Sequence, residues 1–253
     1  MAQTIVLISG ANRGLGRAFL ETFLSRPNHT VIAANRDPAA KTSQELLSLP
    51  AAEGSKVIVV KVDATAEDDA AAAVTELQEK HGIDHIDTVI ANAAVAWVIP
   101  TVSQLKIADL KEHMETNVHG VVRLYQAVLP LLKRSAKPVW VSMGSESGYL
   151  TNFLSFPNAA YGPTKVVLHW LTCAIHTEEP TITAFVVDPG RAQTDMGNRG
   201  AKAAGELFGI PELTQAEIPV DVSIGGLVKV IDAATRETHS GKLWNYKGEQ
   251  VPW

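Results

Sequence analysis

Cysteine is almost absent from this chain of 253 residues, which contains only Cys173. An internal disulfide is therefore excluded. Cys173 lies in the apolar stretch 166–175, so we interpret it as a core residue of a protein in a reducing compartment. A reactive thiol is the alternative interpretation, and the sequence assigns the residue no function.

Long hydrophobic runs and an excess of positive charge are also missing. The first ten residues, MAQTIVLISG, have no basic segment, and their apolar run is too short for a signal peptide or a membrane span. The net charge of −5 gives no electrostatic reason to expect nucleic acid or an anionic membrane as a partner. We therefore expect a cytoplasmic protein that binds neither.

Metal-ligand spacing is absent among the eight histidines, which are scattered along the chain. Neither His113 with His119 nor His169 with His176 has the i, i+4 spacing of a helical metal site, so we expect no metal. No linker, repeat or low-complexity tract divides the chain. Hydrophobic residues at 46% and charged residues at 19% exclude a disordered protein, and we predict a single domain over residues 1–253.

A glycine-rich turn between a strand and a helix stands near the start of the chain. The apolar run 4–9 suits a strand buried on both faces, and helical spacing of apolar residues follows as far as Leu24. The helix N-terminus would offer unpaired N–H groups to a phosphate, although a plain structural turn is the alternative. The candidate cofactor-binding residues here are Gly10, Asn12, Arg13, Gly14, Leu15 and Gly16.

The end of the second predicted strand, residues 30–34, indicates which nucleotide is bound. Asn35 and Arg36 follow it, about twenty residues after the glycine turn, where an acid would bind a ribose 2′-OH and an Arg a 2′-phosphate. Arg36, with Arg13 as a second cation, favours NADPH over NAD. Asp37 stands beside Arg36, and a solvated surface charge is the alternative for either Arg.

The rest of the chain alternates between strand and helix patterns, which predicts an α/β fold with a single doubly wound, Rossmann-type parallel sheet flanked by helices. Together with the glycine turn, this sheet predicts that the single domain is a dinucleotide-binding catalytic domain. Further strands are expected at residues 56–60, 85–91, 137–142, 181–187 and 242–245, and helices at 39–49, 66–80, 103–133, 159–177 and 220–235.

Several polar residues follow strands at their carboxyl ends, where open α/β sheets bind ligands. Asp63 is compatible with a helix cap and with a hydrogen bond to adenine, and Asn92 with turn chemistry or cofactor binding. Asn117 lies in a predicted helix, where Asn has a low propensity. It is a tolerated polar residue, the site of a kink or a group of the functional site. The turn at Pro189 and Gly190 ends the sixth strand and faces the same crevice.

Ser145, Tyr161 and Lys165 are the candidate catalytic residues. On a helix, residues four apart share a face, so the Lys165 ammonium is placed near the Tyr161 phenol. A cation about 4 Å away favours the phenolate by up to ~4 kcal/mol at an effective dielectric constant of about 20, which would lower the pKa of Tyr161 toward the working range. With Ser145 holding a substrate oxygen, the trio fits carbonyl or alcohol chemistry, although such a pair also occurs by chance on surface helices.

Together these residues resemble the short-chain dehydrogenase/reductase family, from Ile5 to about Trp244. Ser9 replaces the Thr of the family's T-G-x-x-x-G-x-G, and Ala94 replaces the Gly of its N-A-G. Ser145 rather than Ser142 matches the catalytic serine, because a Gly follows at the family's x-x-Gly spacing. The matching positions are Ser9, Gly10, Gly14, Gly16, Asp63, Asn92, Ala93, Asn117, Ser145, Tyr161, Lys165, Pro189, Gly190 and Thr194.

The resemblance implies a reaction and a role for each catalytic residue. NADPH would give hydride to a carbonyl carbon while Tyr161 protonates the oxygen and Ser145 orients it. Lys165 would lower the pKa of Tyr161 and bind the nicotinamide ribose, and Asn117 would hold a proton-relay water. Within the family the chain resembles NADPH-dependent carbonyl reductases and, more loosely, fungal ketoreductases of the norsolorinic acid ketoreductase type. We expect a homodimer or homotetramer.

Two other functions compete with this interpretation. Residues 144–148 approach the G-x-S-x-G elbow of hydrolases, but the central residue is Glu146, so the motif fails. A non-catalytic dinucleotide sensor on the same fold is the second rival, since a fold does not fix a function. Such a sensor has no need of the catalytic trio, and NADPH oxidation with ketones discriminates between the two.

The substrate side carries large apolar residues and few cations. Trp97, Phe153 and Phe208 are the candidate substrate-binding residues, and they predict a largely apolar pocket for aromatic or bulky hydrophobic ketones. Residues 196–219 mix small, glycine and polar residues. We expect this segment to be an irregular, mobile substrate lid.

Overall fold

The computed structural model describes residues 3–253, so the first two residues of the predicted domain lie outside the described residues. A single sheet runs through the molecule in the order β3-β2-β1-β4-β5-β6-β7-β8, parallel except for the antiparallel β7–β8 pair. This confirms the predicted doubly wound, Rossmann-type α/β fold. The strands are β1 Thr4–Ser9, β2 His29–Asn35, β3 Lys56–Lys61, β4 Thr88–Ala91, β5 Val139–Met143, β6 Thr183–Asp188, β7 Leu243–Asn245 and β8 Gln250–Val251.

Helices connect the strands and cover both faces of the sheet. They are α1 Gly14–Leu24, α2 Lys41–Gln44, α3 Asp69–His81, α4 Ile107–Met114, α5 Gly120–Leu132, α6 Gly162–Glu178, α7 Asp195–Phe208 and α8 Val220–Ala233. Among those described, no helix is both long and apolar enough to cross a membrane.

Strand β1 shows why the central strands are apolar throughout. Successive side chains of a strand point to opposite faces, so Ile5 and Leu7 enter the core on one side of the sheet while Val6 and Ile8 enter the core on the other. All four side chains are buried. A strand buried on both faces has no polar side to display, which is the pattern of TIVLIS.

The strand order creates the crevice in which the candidate residues meet. Strand β1 pairs with β2 on one side and with β4 on the other, so the chain reverses its direction of winding there. In open α/β sheets, ligands bind at this switch point, beyond the carboxyl ends of the strands. Ser9, Ala91, Met143 and Asp188 end four of the strands that open onto it.

Several helix boundaries differ from the prediction. The helix expected at 39–49 is the short α2 followed by a 3₁₀ helix, Glu45–Ser48. The stretch expected at 103–133 is divided into α4 and α5 by a π-helical turn at Glu115–His119, where the Asn117 side chain bonds outside its own helix. The strand β8 was not predicted, because two residues give no periodicity to detect.

The prediction of an irregular segment at 196–219 is wrong for its first half, which forms α7. The Thr194 hydroxyl caps this helix by accepting a hydrogen bond from Gly197 N at 3.1 Å. Gly209 ends it in the left-handed conformation with φ at 70°. Only the part from 210 to 219 is irregular.

Candidate active site

The glycine turn after β1 forms a narrow cradle. Gly10 and Gly14 have positive φ angles of 65° and 55°, which disfavour residues with a side chain. A Cβ atom on Gly16 would overlap the Gly10 carbonyl oxygen. No side chain caps the N-terminus of α1, whose N-cap residue is Arg13, so its N–H groups can receive an anion.

Asn35 supports the turn from below rather than facing outward. Its side chain is buried, and its Oδ1 accepts a hydrogen bond from Ala11 N at 2.8 Å. Its Nδ2 donates to Ser43 Oγ at 3.2 Å. Because both ends of the amide bond to the protein, Asn35 shapes the cradle, and its part in cofactor binding stays a prediction.

Asn92 and Ala93 hold the turn from the neighbouring strand β4. Both main-chain N–H groups donate to the Ser9 hydroxyl at 3.0 Å, and Asn92 Nδ2 donates to Ser9 O at 2.9 Å and Gly10 O at 3.2 Å. The Ser9 hydroxyl therefore anchors the main chain at the residues that follow β4.

The cationic end of the cradle lies at the surface. Arg36 is exposed and makes neither a hydrogen bond nor an ion pair with any residue in the range 3–253. The Arg13 guanidinium stands 3.9 Å from the Asp195 carboxylate, and both side chains are largely exposed. Asn12 Nδ2 donates to Thr42 Oγ1 at 2.8 Å. Both predicted 2′-phosphate ligands are therefore accessible.

Asp63 follows β3 and caps the next turn. Its Oδ1 accepts from Thr65 N at 2.9 Å and from Thr65 Oγ1 at 2.8 Å. Partial burial opposes ionisation, but the Thr65 hydrogen bonds and the charges of Arg36 and Lys61 lower the pKa of Asp63. The cap was expected for the helix at 66–80, but that helix begins at Asp69, so Asp63 caps a turn before it.

The turn after β6 closes the cradle on its other side. Gly190 has φ at 64°, and its N–H donates to Asp188 Oδ1 at 2.8 Å. The Pro189 carbonyl oxygen accepts from Ser223 Oγ at 2.8 Å, which ties the turn to α8. A Cβ on Gly14 would lie 3.5 Å from Thr194 Cγ2, so the glycine turn and the start of α7 are neighbours.

The three predicted catalytic residues converge beyond β5 and β6. Ser145 follows β5, Tyr161 immediately precedes α6, and Lys165 lies one turn into that helix with 3% exposure. Lys165 Nζ donates to the Met143 carbonyl oxygen at 2.6 Å and is 5.3 Å from the centroid of the Tyr161 ring. The phenol and the ammonium thus share a face, as the spacing predicts.

The ionisation of this group differs from the prediction in one respect. Burial raises the pKa of Tyr161, the nearby Ser145 hydroxyl opposes the rise, and the charge of Asp188 adds to it. Burial also lowers the pKa of Lys165 to about 8, although Asp188 opposes this change. Burial therefore gives the Tyr161 phenol a raised pKa, opposite in direction to the lowering expected from Lys165.

Asn117 joins two segments next to the predicted catalytic group. It is 1% exposed, and its amide forms a pair of hydrogen bonds with Val95, from Val95 N at 2.8 Å and to Val95 O at 2.9 Å. Its Nδ2 also donates to Thr164 Oγ1 at 3.1 Å. Asn117 thus fixes the segment after β4 against the first turn of α6, which explains a polar residue at this position.

Comparison with known proteins agrees with this geometry. The sequence pattern described as short chain dehydrogenase matches residues 4–204. The chain belongs to the short-chain dehydrogenase family. This confirms the resemblance found in the sequence, and the family's chemistry uses a nicotinamide cofactor.

Individual relatives of this short-chain dehydrogenase resemble it over almost its whole length. A norsolorinic acid ketoreductase of Dothistroma septosporum is 40% identical over 99% of this chain and 93% of its own. The norsolorinic acid ketoreductase of Aspergillus parasiticus is 39% identical over 99% of this chain and 92% of its own. The solved structure of an NADPH-bound carbonyl reductase from chicken fatty liver matches with a TM-score of 0.85 and 26% identity, covering 100% of both chains.

The predicted substrate residues of this family member are exposed. Trp97, Phe153 and Phe208 retain 46%, 74% and 57% of their accessible surface. Trp97 follows β4, Phe153 follows the segment of Ser145, and Phe208 ends α7. Arg199 Nη1 donates to Ala96 O at 3.1 Å, so α7 reaches across to the segment that carries Trp97.

Sequence reasoning missed a second polar group, largely buried, beside the predicted catalytic residues. The Tyr149 hydroxyl donates to Asp188 Oδ2 at 2.5 Å. His169 lies one turn after Lys165; burial and the Lys165 charge lower its pKa to about 3, and its Nε2 has no hydrogen-bond partner in the described part of the chain. The Trp253 ring lies 5.7 Å from the His169 ring. The available signal was an acid at the end of a buried strand, ahead of Pro-Gly.

Proposed function

We propose that this short-chain dehydrogenase is an NADPH-dependent carbonyl reductase that converts a ketone into a secondary alcohol. The observation that carries the proposal is the convergence of Ser145, Tyr161 and Lys165 beside the glycine cradle, at the carboxyl ends of the strands. The ketoreductase and carbonyl reductase names of the relatives support the same class of substrate.

The cradle fits a dinucleotide by its shape and chemistry. The turn leaves no room for a Cβ at Gly16, and the N-terminus of α1 has no capping side chain. These features permit close approach of a pyrophosphate to main-chain N–H groups. The residues proposed to hold NADPH are Gly10, Asn12, Arg13, Gly14, Leu15, Gly16, Arg36, Asp63, Asn92, Ala93, Tyr161, Lys165, Pro189, Gly190 and Thr194, with Asn35 acting through the turn.

The two arginines carry the proposed preference for NADPH. Arg36 follows β2, is exposed and makes no hydrogen bond or ion pair with a side chain among residues 3–253, so its guanidinium is accessible to a 2′-phosphate, although Asp37 and the charge of Asp63 are close to it. Arg13 is 3.9 Å from Asp195, a pairing between exposed groups that contributes little. Arg–phosphate contacts are charge-assisted and often bidentate, so Arg36 is the principal determinant.

When bound, NADPH supplies a hydride to the carbonyl carbon of the ketone. The Tyr161 hydroxyl gives its proton to the carbonyl oxygen as the carbon is reduced, and the Ser145 hydroxyl donates a hydrogen bond to the same oxygen. The Lys165 ammonium, held by Met143 O, offsets the charge that develops on the phenol. Asn117 connects α6 to the segment after β4 through its hydrogen bonds, and we propose that it also binds a relay water.

The proposed substrate is an aromatic or bulky hydrophobic ketone. Trp97, Phe153 and Phe208 present apolar surface on three separate segments near the crevice. The half-buried Tyr149, by contrast, has its hydroxyl engaged by Asp188. Segment 196–219, which includes most of α7, is the proposed substrate lid, and the hydrogen bond from Arg199 to Ala96 O connects it to the segment that carries Trp97.

The direct test is NADPH oxidation with a panel of aryl, alicyclic and small polar ketones. We expect turnover with aryl or bulky ketones and slower turnover with NADH. A chain that binds NADPH tightly but oxidises it with none of these ketones would contradict the proposal and favour a sensor. The cytoplasmic location and the homodimeric or homotetrameric assembly stay predictions.

A further inference from the structure

Asp188 is a buried carboxylate surrounded by hydrogen-bond donors. It ends β6 with 5% exposure. Its Oδ2 accepts from the Tyr149 hydroxyl at 2.5 Å, its Oδ1 accepts from Gly190 N at 2.8 Å, and the main-chain N–H of Glu146 also donates to it. Donors from the segments after both β5 and β6 therefore meet at this one side chain, and every one of them favours its charged form.

The sheet places this carboxylate next to the catalytic group. Strands β5 and β6 pair Met143 with Val187, and Gly144 N donates to Val187 O at 2.8 Å. Met143 O is the acceptor for Lys165 Nζ, and Asp188 is the residue after Val187. Asp188 interacts electrostatically with both Lys165 and Tyr161.

Other ionisable groups around Asp188 come from three further elements. Among residues 3–253, the segment after β5 contributes the Glu146 side chain, and α6 contributes His169, which burial keeps neutral. The turn after β6 contributes Arg191, whose guanidinium is 3.8 Å from Glu146 and 2.8 Å from Glu217. Arg191 is thus engaged by other carboxylates.

We propose that Asp188 is a positioning residue that acts through Lys165 and Tyr161: it is the buried counter-charge of the Lys165 ammonium and favours the protonated Tyr161 phenol, which biases the site toward ketone reduction. This inference rests on the proposed function. Tyr149, with the main-chain donors of Glu146 and Gly190, holds the carboxylate in place. Burial raises the pKa of Asp188, and these donors and the Lys165 charge oppose that rise.

The direction of the bias follows from the proton that each reaction needs. Reduction requires Tyr161 to carry its proton, whereas alcohol oxidation requires the phenolate. A negative charge nearby disfavours the phenolate and stabilises the ammonium, so it extends to higher pH the range in which both groups are protonated. Neutralising Asp188 should therefore move the basic limit of reduction to lower pH.

A titration of Lys165 tests the counter-charge without any activity. Protein carrying ¹³C-labelled lysine is followed by NMR from pH 6 to 10, and the Lys165 signal is assigned by its loss in Lys165→Met. We expect a midpoint near 8 in the wild type, since its pKa is lowered to about 8, and a fall of about one pH unit in Asp188→Asn. Asp188→Ser replaces this variant if Asp188→Asn does not fold.

Glu146→Gln is the matched control. It removes a carboxylate near Asp188, whereas the main-chain N–H of residue 146 remains. We expect its Lys165 midpoint to match the wild type. An unchanged midpoint in Asp188→Asn, or an equal fall in Glu146→Gln, would overturn the assignment of Asp188 as the specific counter-charge.

The pH dependence of kcat/KM for ketone reduction provides the second readout. Asp188→Asn should move the basic limb to lower pH by about one unit with little change in KM at pH 6, and Tyr149→Phe should shift it in the same direction by less. An unmoved limb in Asp188→Asn rejects the bias. If the wild type reduces no ketone, the proposed function fails while the lysine titration still decides the counter-charge.

Discussion

The Lys165 ammonium donates to the Met143 carbonyl oxygen at 2.6 Å, so the last residue of β5 holds the proposed catalytic lysine of α6 in place. The lysine is 3% exposed, and a charged amine at such a depth requires a bound acceptor. The main chain of the sheet, rather than a flexible side chain, therefore sets the distance between Lys165 and Tyr161. This arrangement connects the parallel sheet to the groups that we propose transfer the proton.

Gly16→Ala should abolish NADPH binding with only a moderate loss of stability. The added Cβ would overlap the Gly10 carbonyl oxygen, so the turn must open and its N–H groups no longer converge. Gly225→Ala on α8 is the control, because a Cβ there meets nothing within 4 Å. Calorimetric titration with NADPH checks both variants, and wild-type affinity in Gly16→Ala would contradict the cradle.

Arg36→Asp should weaken NADPH binding by at least about tenfold and leave NADH within about twofold, because charge-assisted contacts to a phosphate are lost. Arg13→Ala should have a smaller effect in the same direction. Arg134→Asp, which alters a surface guanidinium bonded to Asp84 O, is the charge-matched control. The comparison is Kd for each cofactor. An unchanged NADPH to NADH ratio in both the Arg36 and Arg13 variants would reject the assignment.

His169 should make the fold sensitive to acid. Burial and the Lys165 charge lower the pKa of His169 from 6.5 to about 3. Below about pH 6.5, His169 is therefore protonated in the unfolded chain but stays neutral in the folded protein. The free energy of unfolding should therefore fall as pH decreases from 6.5, by at most ~1.4 kcal/mol per unit. His169→Gln should flatten this slope in urea unfolding, whereas His81→Gln on the exposed end of α3 should not. Equal slopes in all three proteins would refute this account.

Aryl ketones should be reduced with a kcat/KM more than tenfold above that of dihydroxyacetone, because each buried methylene adds ~0.8 kcal/mol to the free energy of substrate binding. Trp97→Ala should narrow this preference. Trp170→Ala is the matched control, because Trp170 is 68% exposed on α6. A preference for the small polar ketone, or an equal effect of both substitutions on the kcat/KM ratio, would show that the proposal of an apolar substrate pocket is wrong.

Residues with strong local signals were predicted from the sequence. An apolar run without alternation indicated β1, and glycines that permit a tight turn indicated the cradle. The spacing of Tyr161 and Lys165 predicted that the two side chains share a face at the start of α6, because residues four apart in a helix lie one turn above each other. Each of these patterns lies within a short stretch of chain, so the local structure that it predicts does not depend on distant partners.

Features that depend on distant partners were missed. Tyr149 and Asp188 are 39 positions apart and meet only because β5 pairs with β6. The glycines of α7 hid the helix from prediction, and two of them serve packing: a Cβ on Gly197 would overlap Ala192 O, and one on Gly205 would lie 2.5 Å from Ile210 O. Low helix propensity suggested a loop, and tertiary contacts prevailed.

The π-helical turn at Asn117 is a similar case. The residue was recognised as unusual within a helix, but its partners, Val95 and Thr164, lie 22 and 47 positions away. No local pattern distinguishes a kink from a site group when the hydrogen bonds that decide between them come from other elements.

The central claim is that Tyr161 donates the proton in ketone reduction. The most direct measurement is single-turnover hydride transfer from NADPH to an aryl ketone by Tyr161→Phe, with Kd for NADPH measured on the same protein. The ring and fold are retained, so NADPH affinity should stay within about threefold of the wild type, while hydride transfer should slow by about 10²–10⁴-fold. A rate above a tenth of the wild type with NADPH bound would contradict the account.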